Sequence, residues 1–458
     1  MVIKKRGYTL LLTVLLAACG GGDELPPERA DTPSAVSASD LLQPTVANGV
    51  SGRAVDGTVV NGAITIYSFL NGIKGARLGN ATTDHNGAFS ITFTAATQPL
   101  LIELSGGYYV EDASGVVVTL KEGQVLKSLI LYNEGDALSS MVTPLTHMAA
   151  ALAEYKINNG VAVNDAITQA HVALAEAFGF DVTTTTARNI NDASMATTVA
   201  SSSYRYGFLL AGLSSWTQWV SEQNRTDVHT TYTAVGLSQV IYNDLVSDGV
   251  LDGRGYNKAH TALMDLALGV VPITTDLYRY GLPQHMLVMA ASDRNRTSLT
   301  VNDLRSSALA MTTSNAAIIG SSDSRANTTS LITSEASETV CGATTFEIDF
   351  GGVVIVEHAR FSIDGNFEGE VQPYTSLVKV GIDTSQYAAG QHQLAVSVTD
   401  VLGLRYDSVF PVYIEAALPV VLPPSQQVTN QENALLEGFY CNSGAEISSI
   451  AVQGEPAI

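Results

Sequence analysis

The feature that most restricts how this chain can fold is a change of hydrophobic period around Thr143-Pro144. Upstream, apolar and polar residues alternate. Phe89, Ile91 and Phe93 are interleaved with Ser90, Thr92 and Thr94, and Ile64 and Ile66 with Thr65 and Tyr67. A period of two sends successive side chains to opposite faces of a strand, so these runs read as half-buried strands. Beyond Asp136 the period becomes 3.6, and Leu145, Met148, Leu152 and Tyr155 share one helical face. Thr143 is a good N-cap, and proline is favoured at the first helical position because its missing N–H has no partner there in any case. Alternation returns from about Thr339, in Phe346, Ile348 and Phe350 and again in Leu394, Val396 and Val398. With 458 residues, too many for one ordinary core, the expectation is a multidomain α+β protein.

The first alternating region, residues 48–135, holds about seven short strands, with Asp84-His85-Asn86-Gly87 as a turn. The helical region is expected over 136–312, with six or seven helices. The second starts at Asn164, carries Ile167, His171, Leu174 and Phe178 on its stripe and stops at Gly179. Further helices are expected over 204–220, from about 228 to 245, and over 257–268, 275–291 and 301–311. Residues 313–338 are rich in Ser, Thr, Ala and Asn and read as a linker. A β region follows over 339–418. Pro419, Pro423 and Pro424 stiffen the start of 419–458, which holds only the opening strands of a further β module.

The N-terminus has its own signature. Lys4, Lys5 and Arg6 precede an apolar run from Tyr8 to Ala18, interrupted only by Thr9 and Thr13 and too short to span a membrane as a stable helix. Leu16-Ala17-Ala18-Cys19-Gly20 then resembles the lipobox of bacterial lipoproteins. That resemblance implies a signal peptide over 1–18, acylation of Cys19 and sorting to the outer membrane, with palmitate-type chains as the anchor. Several acyl chains, at about 0.8 kcal/mol per buried methylene, make such an anchor stable. Residues 19–47, with Pro26, Pro27, Pro33 and Pro44 and no apolar period, read as a flexible tether.

Two further resemblances concern the β regions. Ser51-Gly52-Arg53-Ala54-Val55-Asp56-Gly57, Gly62-Ala63-Ile64-Thr65-Ile66-Tyr67 and Thr83-Asp84-His85-Asn86-Gly87-Ala88-Phe89 are similar to the carboxypeptidase regulatory-like domain. That family implies a transthyretin-like β-sandwich acting as a structural or recognition module, and it brings no catalytic residues. Asp383-Thr384-Ser385-Gln386-Tyr387, Gly390-Gln391-His392-Gln393-Leu394 and Thr399-Asp400-Val401-Leu402-Gly403 resemble a bacterial immunoglobulin-like or fibronectin III-like module, a second β-sandwich. Between them lies an all-α middle domain opened by Val142-Thr143-Pro144-Leu145-Thr146. The whole order resembles surface lipoproteins of Gram-negative bacteria.

Chemistry is less legible than architecture. A formal net charge of -21 repels phosphate backbones and argues against nucleic-acid partners. No G-x-S-x-G, Walker A, G-x-G-x-x-G or C-x-x-C occurs. Ser376-Leu377-Val378-Lys379 matches S-x-x-K by letters alone, without its S-D-N and K-T-G partners. The expectation is therefore a protein that is not an enzyme.

Asp244, Asp248 and Asp252 could ligate a hard cation such as calcium, although their spacing is not that of an EF-hand, and a helix end with a polar turn accounts for the same letters. Asp364, Asp383 and Asp400 could bridge calcium between modules or serve as turn residues. His147, His171, His229, His260 and His285, taken with Tyr204 and Tyr206, show no zinc spacing; His171 reads as a core residue. Cys341 and Cys441 remain as a candidate disulfide once Cys19 is spent on lipid.

The function expected is that of a lipid-anchored cell-envelope protein acting as a surface-displayed or adhesin-like binding module. Its partners would be the membrane and an envelope glycan or surface protein. The alternatives are a structural spacer and an envelope hydrolase with its site in the helical domain.

Overall fold

The computed structural model describes residues 40–43, 48–95, 97–225, 232–254, 267–314, 318, 338–340, 342–350, 354–415, 417–421 and 437–441. Cys19, Cys341, His229 and His260, the expected signal peptide and most of the expected tether, linker and helix over 257–268 lie outside them, as does the Cys441 side chain.

Nine strands come first: β1 (Gly49–Ala54), β2 (Ala63–Leu70), β3 (Ile73–Thr82), β4 (Ala88–Thr92), β5 (Gln98–Ser105), β6 (Tyr108–Val110), β7 (Val117–Thr119), β8 (Val125–Tyr132) and β9 (Ala137–Val142). They form a four-stranded sheet in the order β3-β2-β5-β8, a three-stranded sheet β4-β1-β9 and the hairpin β6-β7. Val50, Ile64, Ile66, Phe89, Ile91, Leu100, Ile102 and Leu104 come together in one apolar core between the two larger sheets. In β4 the alternation holds as the sequence predicts, with Phe89 and Ile91 inward. The Asp84 carboxylate accepts from the N–H groups of Asn86 and Ala88, both at 2.8 Å, and makes the turn before that strand.

The count exceeds the seven strands expected, and β9 extends this region past residue 135. Ala137-Leu138-Ser139-Ser140-Met141-Val142 has no clear alternation, and only its parallel pairing with β1 makes it a strand. That pairing needs glycine at position 52, because a Cβ there would lie 1.9 Å from the Ser140 carbonyl oxygen.

The helices follow: α1 (Pro144–Asn158), α2 (Val163–Phe178), α3 (Ser202–Gln223) and α4 (Ala234–Asp248). After the short antiparallel pair β10 (Ala267–Leu268) and β11 (Val271–Pro272) come α5 (Leu282–Ala291) and α6 (Val301–Thr312). Thr143 caps α1 as its sequence requires, accepting from the Thr146 N–H while Thr146 returns a bond to the Thr143 N–H. Gly179, in the left-handed region, ends α2. Helix α4 begins six residues later than expected, because Thr233 supplies the cap, its hydroxyl accepting from the Gly236 N–H. Ala267 and Leu268, expected at the end of a helix, pair as a strand instead. The stretch expected as one helix over 275–291 starts with a π-helical turn, Leu277–Gly281, before α5.

Helix α3 is buried on every side along Tyr206–Trp216, which makes it the central post of the helical region. No described helix is long and apolar enough to cross a membrane.

The last strands are β12 (Glu338–Val340), β13 (Ala343–Asp349), β14 (Val356–Ile363), β15 (Asn366–Val371), β16 (Leu377–Asp383), β17 (Gly390–Asp400), β18 (Arg405–Ile414), β19 (Ala417–Val421) and β20 (Glu437–Cys441). A five-stranded sheet β12-β18-β17-β14-β15 and the pair β13-β16 contribute to a core around Phe361, Val378, Val396 and Val398.

The described body is not a string of independent beads. One apolar cluster contains Leu101 and Leu129 of the first strands, the helical residues Leu145, Trp216 and Leu304, and Ile355, Val401 and Leu402 of the last β region. Polar contacts reinforce the second junction. Arg305 Nη2 bonds both Glu357 oxygens at 2.8 and 2.7 Å, the Ile355 N–H donates to Gln284 Oε1 at 2.6 Å, and Trp219 Nε1 donates to Ser376 Oγ at 3.2 Å.

Candidate functional site

The turn that closes α4 gathers three of the aspartates singled out by sequence. Asp244 and Asp248 are one helical turn apart and so lie on the same face. Gly249, with φ of 80°, ends the helix, and the chain returns so that Asp252 comes alongside. A carboxylate oxygen from each of the three lies within 4.8 Å of the other two.

The turn is held from several directions. Asp244 Oδ2 accepts from the N–H groups of Asp252 at 3.2 Å and Gly253 at 2.9 Å. Asp248 Oδ1 accepts from the Val250 N–H at 3.0 Å, and Asp252 Oδ1 from the Arg254 N–H at 3.0 Å. Gly253 has φ of 70° and sits against strand β11's outgoing chain, where a Cβ would be 1.7 Å from the Ile273 carbonyl oxygen. The Leu251 N–H donates to the Ile318 carbonyl at 2.7 Å.

Asp244 is fully buried. Burial pushes its pKa up to about 7, helped by the charges of Asp252 and Asp248 and opposed by the Gly253 N–H and the nearby Tyr278 hydroxyl. Sequence reasoning missed Tyr278, since nothing in its spacing connects it to the aspartates. It arrives on the π-helical turn and stands edge-on to Trp216 of α3, ring centres 5.6 Å apart. Burial and the Asp244 carboxylate push its phenol pKa well above the ordinary tyrosine value.

The other three aspartates are not brought together. Asp364 accepts from the Gln393 N–H at 2.9 Å and pairs with His392 Nδ1 at 2.6 Å. Asp383 caps the short helical turn 384–386 by accepting from the Ser385 N–H at 3.0 Å. Asp400 Oδ1 accepts from the Leu404 N–H at 2.8 Å, and its Oδ2 accepts from the Tyr406 hydroxyl at 3.1 Å. These are turn and corner duties. Among the described residues, only Asp244, Asp248 and Asp252 form a group of three His, Cys, Asp or Glu side chains close enough to share an ion.

The histidines stand apart as well. His147 is buried and stacked on Tyr242 with ring centres 4.3 Å apart, and its Nδ1 accepts from the Lys127 N–H at 3.2 Å. His285 is buried with Nδ1 3.0 Å from Ser215 Oγ. Burial, and for His147 also the Lys127 charge, lowers both pKa values to about 3, so both rings are neutral. His171 is half-buried, and burial lowers its pKa too. Tyr204 and Tyr206 donate their hydroxyls to the carbonyls of Met195 and Val182, at 2.7 and 2.8 Å. Ser376 is buried before β16 and Lys379 exposed within it, so the S-x-x-K letters do not make a catalytic pair.

A second buried acidic group went unnoticed in the sequence. Glu111, fully buried, accepts from the Tyr109 hydroxyl at 2.8 Å, from Ser214 Oγ of α3 at 2.5 Å and from the Ala234 N–H at the start of α4 at 2.9 Å. Its neighbour Asp112 accepts from Asn191 Nδ2 at 2.7 Å, and the Arg294 guanidinium reaches the Asp112 carbonyl at 3.1 Å. Burial and the Glu111 charge push Asp112 up to about 7, against the pull of Arg294. Burial, with Glu111 and Asp112, pushes Asp56 well above the usual carboxylate range.

The outer face of β17 and β18 presents exposed side chains in register: Gln391 opposite Tyr413, and Gln393 opposite Pro411. Tyr413 and Val409 are large and exposed, at 46% and 59%. With Asp364 and His392 at its edge, this face lines a shallow open cleft.

No family model matches the chain, and no curated protein matches it. Among solved structures, CopC from Methylosinus trichosporium OB3b is similar at 17% identity over 18% of this chain and 86% of that one, with a TM-score of 0.15. The fibronectin(III)-like modules of Clostridium thermocellum CbhA are similar at 12% identity over 18% of this chain and 93% of that one, TM-score 0.13. The beta-glucuronidase 3 of Bacteroides uniformis is 8% identical over 88% of this chain and 67% of that one, TM-score 0.15. Likenesses this distant carry no argument about what the chain does.

Proposed function

We propose that this chain is a lipid-anchored outer-membrane protein of the bacterial envelope that displays a binding surface and has no catalytic chemistry of its own. The observation that carries the reading is Leu16-Ala17-Ala18-Cys19-Gly20 after a basic start and a short apolar run, followed by a proline-bearing tether. In this reading residues 48–135, with β9 added to them, form a transthyretin-like sandwich, the middle is a mainly helical domain that also holds the β10–β11 pair, and residues 339–418 are an immunoglobulin-like sandwich.

The surface we assign to binding is the outer face of β17 and β18. There an exposed tyrosine ring and Val409 stand beside the amides of Gln391 and Gln393. Apolar area next to hydrogen-bonding groups suits the hydroxyl-rich faces of an envelope glycan or the polar rim of a protein partner.

The test has two arms. Cells expressing the wild type should incorporate labelled palmitate into it and Cys19→Ser should not; soluble, unlabelled wild-type protein removes the anchor. Purified protein should be retained on envelope polysaccharide or whole envelopes, and Tyr413→Ala with Gln391→Ala should lose most of that retention. Wild-type protein that passes through every envelope fraction removes the binding function and leaves the structural spacer.

A further inference from the structure

An acidic cluster at a helix end is common and by itself signifies little. The turn after α4 adds two observations. Asp244 is fully buried, and its Oδ1 has no hydrogen-bond partner among the described residues. Tyr278, only 3% exposed, brings a hydroxyl beside the same carboxylate, and that hydroxyl meets no described residue at hydrogen-bond geometry. Orphaned buried polar atoms are rare, because each gives up its hydration for nothing in return. Here two of them converge, and the charges that act most strongly on Asp244 are two further carboxylates.

A cation resolves both problems, and the geometry admits one. The three carboxylates offer oxygens within 4.8 Å of one another. Oxygens bound to a single calcium ion at about 2.3–2.6 Å lie no farther apart than roughly twice that distance, so all three fit one ion. Among the described residues the donor set is oxygen alone, with no imidazole or thiolate, which selects a hard cation over zinc. Calcium tolerates irregular coordination from a turn, whereas magnesium demands near-octahedral ligands at about 2.0–2.1 Å.

We propose that Asp244, Asp248 and Asp252 hold one divalent cation of the calcium class, with Tyr278 as the neutral oxygen beside it. The ion pins the 249–253 turn to the end of α4. The proposal does not depend on the lipid anchor or on the β17–β18 surface.

The test uses the full chain in detergent, stripped with EDTA and dialysed. Calcium chloride is titrated by calorimetry, thermal melts are run with and without it at constant ionic strength, and terbium luminescence is excited through tyrosine. Wild-type protein should bind one calcium per chain saturably, gain several degrees in Tm and sensitise terbium. Asp248→Asn with Asp252→Asn, at half-buried positions, should abolish all three while melting in EDTA no lower than the wild type. Asp252→Asn alone should weaken binding at least tenfold, which keeps the proposal testable if the double variant fails to fold. Asp383→Asn should bind as the wild type does. No saturable binding to the wild type overturns the proposal, as does unchanged binding by Asp252→Asn.

Discussion

Two buried acidic groups lie in the same body and solve the same problem in opposite ways. Around Glu111 the protein supplies the donors itself: a phenol, a serine hydroxyl and a helix N-terminal N–H reach one carboxylate, from β6, α3 and the start of α4. Around Asp244 the main chain satisfies Oδ2, and the remaining oxygen lies among carboxylates and the Tyr278 phenol without a hydrogen bond of good geometry from a described residue. Asp112 and Asp244 are both pushed up to about 7, chiefly by burial. A raised pKa therefore does not separate a structural carboxylate from a ligand; the fate of each oxygen atom does. The Glu111 group is a clamp between the first strands and the helices, and the Asp244 group is a place for an ion.

The largest effect is expected at Glu111. Glu111→Ala leaves three donors buried without an acceptor, and at about 1–3 kcal/mol for each such group the loss of stability should be on the order of 3–5 kcal/mol. Denaturant unfolding would measure it, and Glu111→Gln should recover part of it. A loss under about 1 kcal/mol would mean the three bonds do not clamp the strands to the helices.

The next largest effect is a pH dependence. A folded-state pKa of about 7 for Asp112 stands above the unfolded carboxylate value of about 3.9. The folded protein thus holds that proton more tightly, and the stability it gains is present below about pH 4 and lost as pH rises towards 7. Relative to Asp112→Asn, the wild type should lose about 2–4 kcal/mol across that window. Parallel pH profiles of the two proteins would sink the assignment. Glu111, which raises this group, and Arg294, which lowers it, are unchanged in the variant.

The smallest effects belong to the aspartates of the last β region. Asp400 is buried with both oxygens engaged, so Asp400→Asn should cost about 1–2 kcal/mol. Asp383 is exposed and caps a single short turn, so Asp383→Asn should leave the melting temperature nearly unchanged. Reversal of that order in thermal melts would show that exposure is a poor guide to what these carboxylates do.

Several features follow from local chemistry and could be read directly. The alternation of Phe89 and Ile91, the Asp84 turn, the Thr143 cap with Pro144 behind it and the stop at Gly179 each involve residues within a few positions of one another. Asp244 and Asp248 share a face for the same reason, four residues being close to one helical turn. What escaped reading depends on distant partners. Strand β9 exists because Gly52 lets β1 approach Ser140, and neither segment advertises the other. Glu111 meets Ser214 from 103 positions away and Ala234 from 123.

The sequence by itself determined the order of strands, helices and strands, the main caps and turns, and the letters of an acidic turn. Those depend on backbone preferences and side-chain period, which act over less than two turns of chain. Packing of distant segments is what makes the three regions share one core, shields and fully engages Glu111, and brings Tyr278 beside the buried Asp244. Burial is set by what packs on top, and a carboxylate changes from a solvated turn residue to a ligand in waiting only when water is removed from around it.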